Sequence, residues 1–83
     1  MVVIGRLTED PDLRYTTRGE ARGRFAMETE HGRVSVVLHG RLAEEASDCL
    51  GRGAEIHVEG YVMANGRLRG ERLMWPPGVA LQA

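Results

Sequence analysis

Seven of the eleven arginines fall in two short windows. From Leu13 to Arg24, four of them (Arg14, Arg18, Arg22, Arg24) stand against one acid, Glu20, a net +3. From Ala64 to Arg72, three more (Arg67, Arg69, Arg72) stand against Glu71, a net +2. The 83-residue chain carries −1 in total, so every other position together holds −6. Charge is sorted along the chain although the sum is near zero, and function can follow such sorting. There is no lysine. A bias toward arginine codons explains that absence but not the clustering. A guanidinium is a planar, permanently charged fork that grips phosphate oxygens and offers a flat face for stacking. Both windows therefore predict phosphate contacts.

Other chemistry finds little support. His31, His39 and His57 lie far apart with no paired ligand spacing, so no metal site is expected. No phosphate-loop, nucleophile-elbow or cysteine–histidine signature occurs, so no catalytic residue and no cofactor are expected. The glycines of "GRGAEIHVEG" serve as joints between a helix and a strand; a dinucleotide fingerprint needs the reverse order. Cys49 is the single cysteine; it excludes an internal disulfide and is expected to be buried. No window is apolar enough to span a membrane, and "MVVIGRLTEDPD" lacks the pattern of a leader, so a cytoplasmic protein is expected.

The elements that must position the arginines are short and punctuated by glycine. Met1–Leu7 reads as a first strand, and "TEDPDLRYTTRGE" as a polar, turn-rich connection. Glu20–Glu30 reads as a second strand, with Gly23, Phe25 and Met27 on one face and Arg22, Arg24, Ala26 and Glu28 on the other. A tight "EHGR" turn leads to a third strand, Arg33–His39. Its Val34, Val36 and Leu38 face the core, and Arg33, Ser35, Val37 and His39 face out. Arg41 to Leu50 has helical spacing, with Leu42, Ala46 and Cys49/Leu50 inward. Ala54–Met63 is a fourth strand with Ile56, Val58 and Val62 inward. His57, between Glu55 and Glu59, suits a subunit or solvent contact. Asn65-Gly66 marks a hairpin to a fifth strand, Arg67–Trp75, whose phase slips near Gly70 as at a bulge; Pro76-Pro77-Gly78 ends it. Phe25 and Trp75 suit the core or an interface.

Three strands, a helix and two strands make an all-β chain. The order fits one five-stranded oligonucleotide/oligosaccharide-binding (OB) barrel over 1–83, with one short helix between strands 3 and 4. Such barrels bind across strands two and three and through the one–two and four–five loops, which is where the arginines cluster. The small size also favours a homo-oligomer.

The motifs Gly5-Arg6-Leu7, Asp10-Pro11, Arg14-Tyr15-Thr16, Gly19, Phe25, Gly40-Arg41-Leu42-Ala43-Glu44 and Glu59-Gly60 run in order along the chain. In this the chain resembles the bacterial single-stranded DNA-binding (SSB) family. The resemblance implies a non-enzymatic protein of replication, repair or recombination, nucleoid-associated, acting as a dimer or tetramer alongside replication or repair proteins. It implies a nucleic-acid face at Arg33, Ser35 and His39, with Tyr15 as a further stacking candidate. It also marks departures. Arg33 and His39 stand where the family places stacking aromatics, and Arg67 falls near a third. The second–third loop is cut to a turn, and no acidic tail follows before Ala83. Each stacked base is worth about 1–3 kcal/mol, so binding should be weaker and more electrostatic. Two other readings stay open: an SSB-derived accessory of replication restart resembling primosomal replication protein N, and an OB module that binds only protein.

Overall fold

The computed structural model describes residues 1–74. Its longest strand organises the rest. This is β3 (Ala21–Thr29), following β1 (Val2–Leu7) and β2 (Asp12–Tyr15). In β3, Ala21, Gly23, Phe25 and Met27 are buried, while Arg22, Arg24 and Glu28 are exposed, as a period of two requires. A turn at Glu30–His31 folds the chain back into β4 (Gly32–His39), which pairs with β3 from Arg22↔His39 to Thr29↔Gly32.

The other edge of β3 is shared. Met27–Thr29 pair with β1, and Ala21–Arg24 pair with β2. Both partners run antiparallel to β3, so β2 prolongs β1. Leu7 lies opposite Met27 and Asp12 opposite Arg24, so five steps on one side match three on the other. The surplus bulges out around Pro11, which has no N–H to give to a ladder. Thr8 spans the break, donating from N (2.9 Å) and Oγ1 (3.2 Å) to the Ala26 carbonyl. The sequence reading took this segment for an irregular connection. Leu13 overrides its polar neighbours: it packs on the core opposite Gly23, and the ladder satisfies an otherwise bare edge.

β5 (Glu55–Val62) pairs with β1, and β6 (Leu68–Met74) pairs with β5. β6 then meets β4 in parallel at Val36↔Leu68 and Val37↔Arg69. The ring β1–β5–β6–β4–β3–β1 closes, giving the expected five-stranded barrel once β1 and β2 count as one broken strand. Phe25, Met27, Val36, Leu38, Ile56, Val58 and Leu68 fill it. Each such burial contributes about 1.5–3 kcal/mol. The expected bulge lies at Glu71, which is skipped between Glu59↔Arg72 and Gly60↔Gly70. A side chain at Gly60 would collide with the Arg69 backbone, so glycine permits this close approach.

Helix α1 (Arg41–Cys49) closes one end of the barrel. Gly40 turns the chain into it at φ 66°, a conformation that favours glycine. Ala43 and Ala46 are buried, and a Cβ at Gly23 would sit 3.1 Å from the Ala43 Cβ. Three expectations change. Ala43 joins the inward face and Leu42 is only half-buried. Cys49 is exposed, because the last helical turn points out and the extended backbone of Leu50 turns inward in its place. Val62 is 55% exposed, because β5 runs past the last packed layer. Phe25 is core as expected; Trp75 and Pro76-Pro77-Gly78 lie outside the described residues.

Candidate nucleic-acid interface

Cross-strand partners share a face, so the registers assemble rows on the outside of the barrel. One row is Arg14–Arg22–His39. The next is Asp12–Arg24–Val37–Arg69–Tyr61. A third is Ala26–Ser35, followed by Glu28–Arg33 at the far end. Residues distant in sequence thus form one surface spanning β2, β3, β4 and β6. A groove of about 320 Å³ crosses it, lined by Asp12, Arg14, Arg22, Arg24, Val37 and Arg67. Val37 is its apolar floor and arginines are its walls.

Two turns hold the loop arginines. Asn65 Oδ1 accepts the Arg67 N–H at 3.0 Å, and Gly66 at φ 85° lets its N–H reach the Met63 carbonyl at 2.9 Å. That closes the hairpin and sets Arg67 over the groove. Thr16 Oγ1 accepts the N–H groups of Arg18 (3.3 Å) and Glu20 (3.1 Å), holding Arg18 at an exposed tip.

The positive charge is largely unspent. Asp12 accepts from Arg14 Nε at 3.2 Å and lies 3.9 Å from Arg24 Nη2. These partners are exposed, so the pairing adds little stability; it orders two guanidiniums around one carboxylate. Among the described residues, Arg18, Arg22, Arg33, Arg67 and Arg69 have no carboxylate within salt-bridge distance.

His39 is half-buried, and its Nδ1 is enclosed with no hydrogen-bond partner. An enclosed N–H without an acceptor is rarer and costlier than an enclosed lone pair. The neutral ring is therefore assigned its proton on Nε2. Burial, followed by the nearby charges of Arg69 and Arg22, holds its pKa below the ordinary 6.5, against a smaller opposing pull from Glu20. At neutral pH His39 is an uncharged plane between two cations.

Two sequence-predicted residues fall elsewhere. Tyr15 lies opposite Ala21 on the inner side of β2, and its hydroxyl donates to Glu44 Oε2 of α1 at 2.9 Å. That hydrogen bond, slight burial, and the charges of Glu44 and Asp48 raise the phenol above 10.0. Arg72 stands beyond the bulge opposite Glu59, in a different sector of the barrel. The sequence reading also passed over Asp12 and Val37. A lone apolar residue on an outward face between arginines was the available signal for Val37.

The profile of the single-strand binding protein family matches residues 1–67. The chain belongs to that family. A single-stranded DNA-binding protein 2 of Listeria innocua is 34% identical over 73 residues, covering 75% of this chain and 46% of that protein. A single-stranded DNA-binding protein of Treponema pallidum is 36% identical over 72 residues, covering 72% and 41%. The chain thus spans less than half the length of these curated relatives. The crystal structure of the single-stranded DNA binding protein from Thermus aquaticus superimposes with a TM-score of 0.84 at 33% identity, covering 99% of this chain and 42% of that one. An SSB domain from Synechococcus has a TM-score of 0.78 at 21% identity, covering 88% and 90%, and supports the fold alone.

Proposed function

We propose that this chain binds single-stranded DNA without catalysing a reaction, as one OB unit, in the cytoplasm at the nucleoid. The observation that carries this reading is the groove over Val37, walled by Arg14, Arg22, Arg24 and Arg67 with a single acid, Asp12, among them. The relatives' names point the same way. The site residues are Arg14, Arg18, Arg22, Arg24, Arg33, Ser35, His39, Arg67 and Arg69. Phosphate contacts supply most of the affinity, because the expected stacking positions are held by Arg33, His39 and Arg67. The functions served are replication, repair or recombination.

A titration of labelled dT oligomers at several salt concentrations tests the reading. Each phosphate neutralised on a single strand adds about −0.7 to the slope of log affinity against log salt. Four to five contacts, as an order-of-magnitude expectation, give a slope of about −3. No binding at low salt would contradict the proposal and favour an OB module that binds only protein.

The opposite sector supports self-association. Val2 and Ile4 are 52% and 51% exposed on the outer face of β1, beside His57 and Glu59 of β5. Apolar residues on a small domain's strand face suit a second copy. Sedimentation at several concentrations should show a dimer or tetramer that Val2→Glu with Ile4→Glu dissociates. A monomer throughout would contradict it. The scarcity of aromatics on the basic face favours a second role as a restart accessory that also holds replication proteins.

A further inference from the structure

The end of the barrel away from α1 is open. A pit of about 530 Å³ lies there, in the size range of small-molecule sites. Its floor is apolar: Val3, Val34 and Leu68. Arg33, Ser35 and Arg67 stand at its rim, with Val62 beside them. No carboxylate lines it among the described residues. The pit is open because β3 and β4 are joined by two residues, Glu30 and His31, so no long loop folds over the mouth. Val62 lies opposite Leu68, yet it is 55% exposed while Leu68 is 1% exposed. The half-buried side chains of Val3 and Val34 therefore form the part of the floor that meets water, with buried Leu68 beneath them.

An apolar floor under a cationic rim suits a ligand with a flat, weakly polar body on an anionic tether. A nucleobase on its phosphodiester has that chemistry. The pit also adjoins the groove at Arg67, which lines both. Ser35 at the rim is two residues from Val37 in the groove, about 7 Å along β4. We propose that the mouth of the barrel takes in one base of the bound strand, over Val3 and Val34, with the adjoining phosphates at Arg33 and Arg67. Insertion then replaces the flat stacking that aromatic residues would supply. This rests on the single-strand reading above.

The test uses dT oligomers carrying one 2-aminopurine at successive positions, bound to the full chain. One position should be shielded from acrylamide quenching, its quenching constant falling by about half or more, while its neighbours stay accessible. Val62→Met fills the pit with an aliphatic chain and no aromatic plane, at an exposed position where folding should survive; circular dichroism checks that. It should weaken dT binding about tenfold, leave the salt slope unchanged and abolish the shielding. Wild-type binding with no shielded position, or unchanged affinity in Val62→Met, overturns the pit and leaves the groove standing. A Val62→Met change in sedimentation with DNA binding intact identifies the mouth as a contact between copies and also overturns it. No binding of wild-type chain at low salt overturns both.

Discussion

Two sectors of one barrel obey the same alternation and end up with different chemistry. Outside β2–β3–β4–β6, Arg14, Arg22, Arg24 and Arg69 surround Val37 and His39, with Asp12 the one acid lining the groove and Glu28 at the far end of the surface. Outside β1–β5–β6, Arg6 pairs with Glu55 at 2.9 Å and Arg72 faces Glu59 across the ladder. Between them sit exposed Val2 and Ile4. The first sector has cations seeking a partner. The second has one ion pair, Arg6–Glu55, acids across the ladder from its arginines, and its apolar side chains uncovered. A near-neutral net charge thus conceals a division between a cation-rich face and a face with uncovered apolar side chains. Counting arginines, four against two, already separates the sectors; cross-strand register adds where their acids fall.

The largest expected effect comes from stripping charge on either side of that division. Arg22→Ala with Arg69→Ala should weaken dT binding by about thirtyfold and flatten the salt slope by about 1.4, the value for two lost phosphate contacts. Arg6→Ala with Arg72→Ala should change affinity by less than about twofold in the same titration. Equal losses from the two pairs would erase the comparison.

Restoring an aromatic plane to the basic sector should act next. His39→Phe is expected to raise affinity for dT oligomers about tenfold, within the range of one stacked base. Unchanged affinity would show that no base lies over this position.

A smaller effect follows from the titration of His39 itself. Its pKa is lowered in the folded chain, so the unfolded chain takes up the proton first as pH falls. Its contribution to stability is whole above about pH 6.5 and is lost as pH drops toward and through the folded value. Acid therefore destabilises the free protein while adding a cation to the arginine-rich sector, where the proposed binding would gain a steeper salt slope. Thermal melts from pH 8 to pH 5 should show a decline that His39→Phe reduces. Identical pH profiles would contradict the enclosed, unpartnered Nδ1.

The smallest effect belongs to Tyr15. Its hydroxyl is committed to Glu44, on the helix side of β2. Tyr15→Phe should leave dT affinity within about twofold. A large loss would return Tyr15 to the binding face.

Most of the barrel was legible because its strands alternate cleanly. Val36, Leu38, Phe25 and Met27 announced the core, and Arg22, Arg24 and His39 fell outward by the same rule. The bulge beside Gly70 showed as a slip of phase. What was missed depended on tertiary closure. Asp12–Tyr15 reads as loop by composition, and only the bare edge of β3 makes it a strand. Turning that segment into a strand gives each residue a side, which sends Arg14 to the groove and Tyr15 to the helix. Arg72 shares a window with Arg67 and Arg69, but the extra residue at Glu71 and the curvature of the barrel carry it elsewhere. Val62 has the right phase for the core and still lies beyond its last layer. Sequence spacing cannot report where the packed layers stop.

Mapping amide chemical shifts while a short dT oligomer is added tests the division between sectors most directly. Concentrated shifts are expected at Arg14, Arg22, Val37, His39 and Arg69, with Val2, Ile4, His57 and Glu59 nearly still. Shifts centred on β1 and β5, or spread evenly around the barrel, would contradict it.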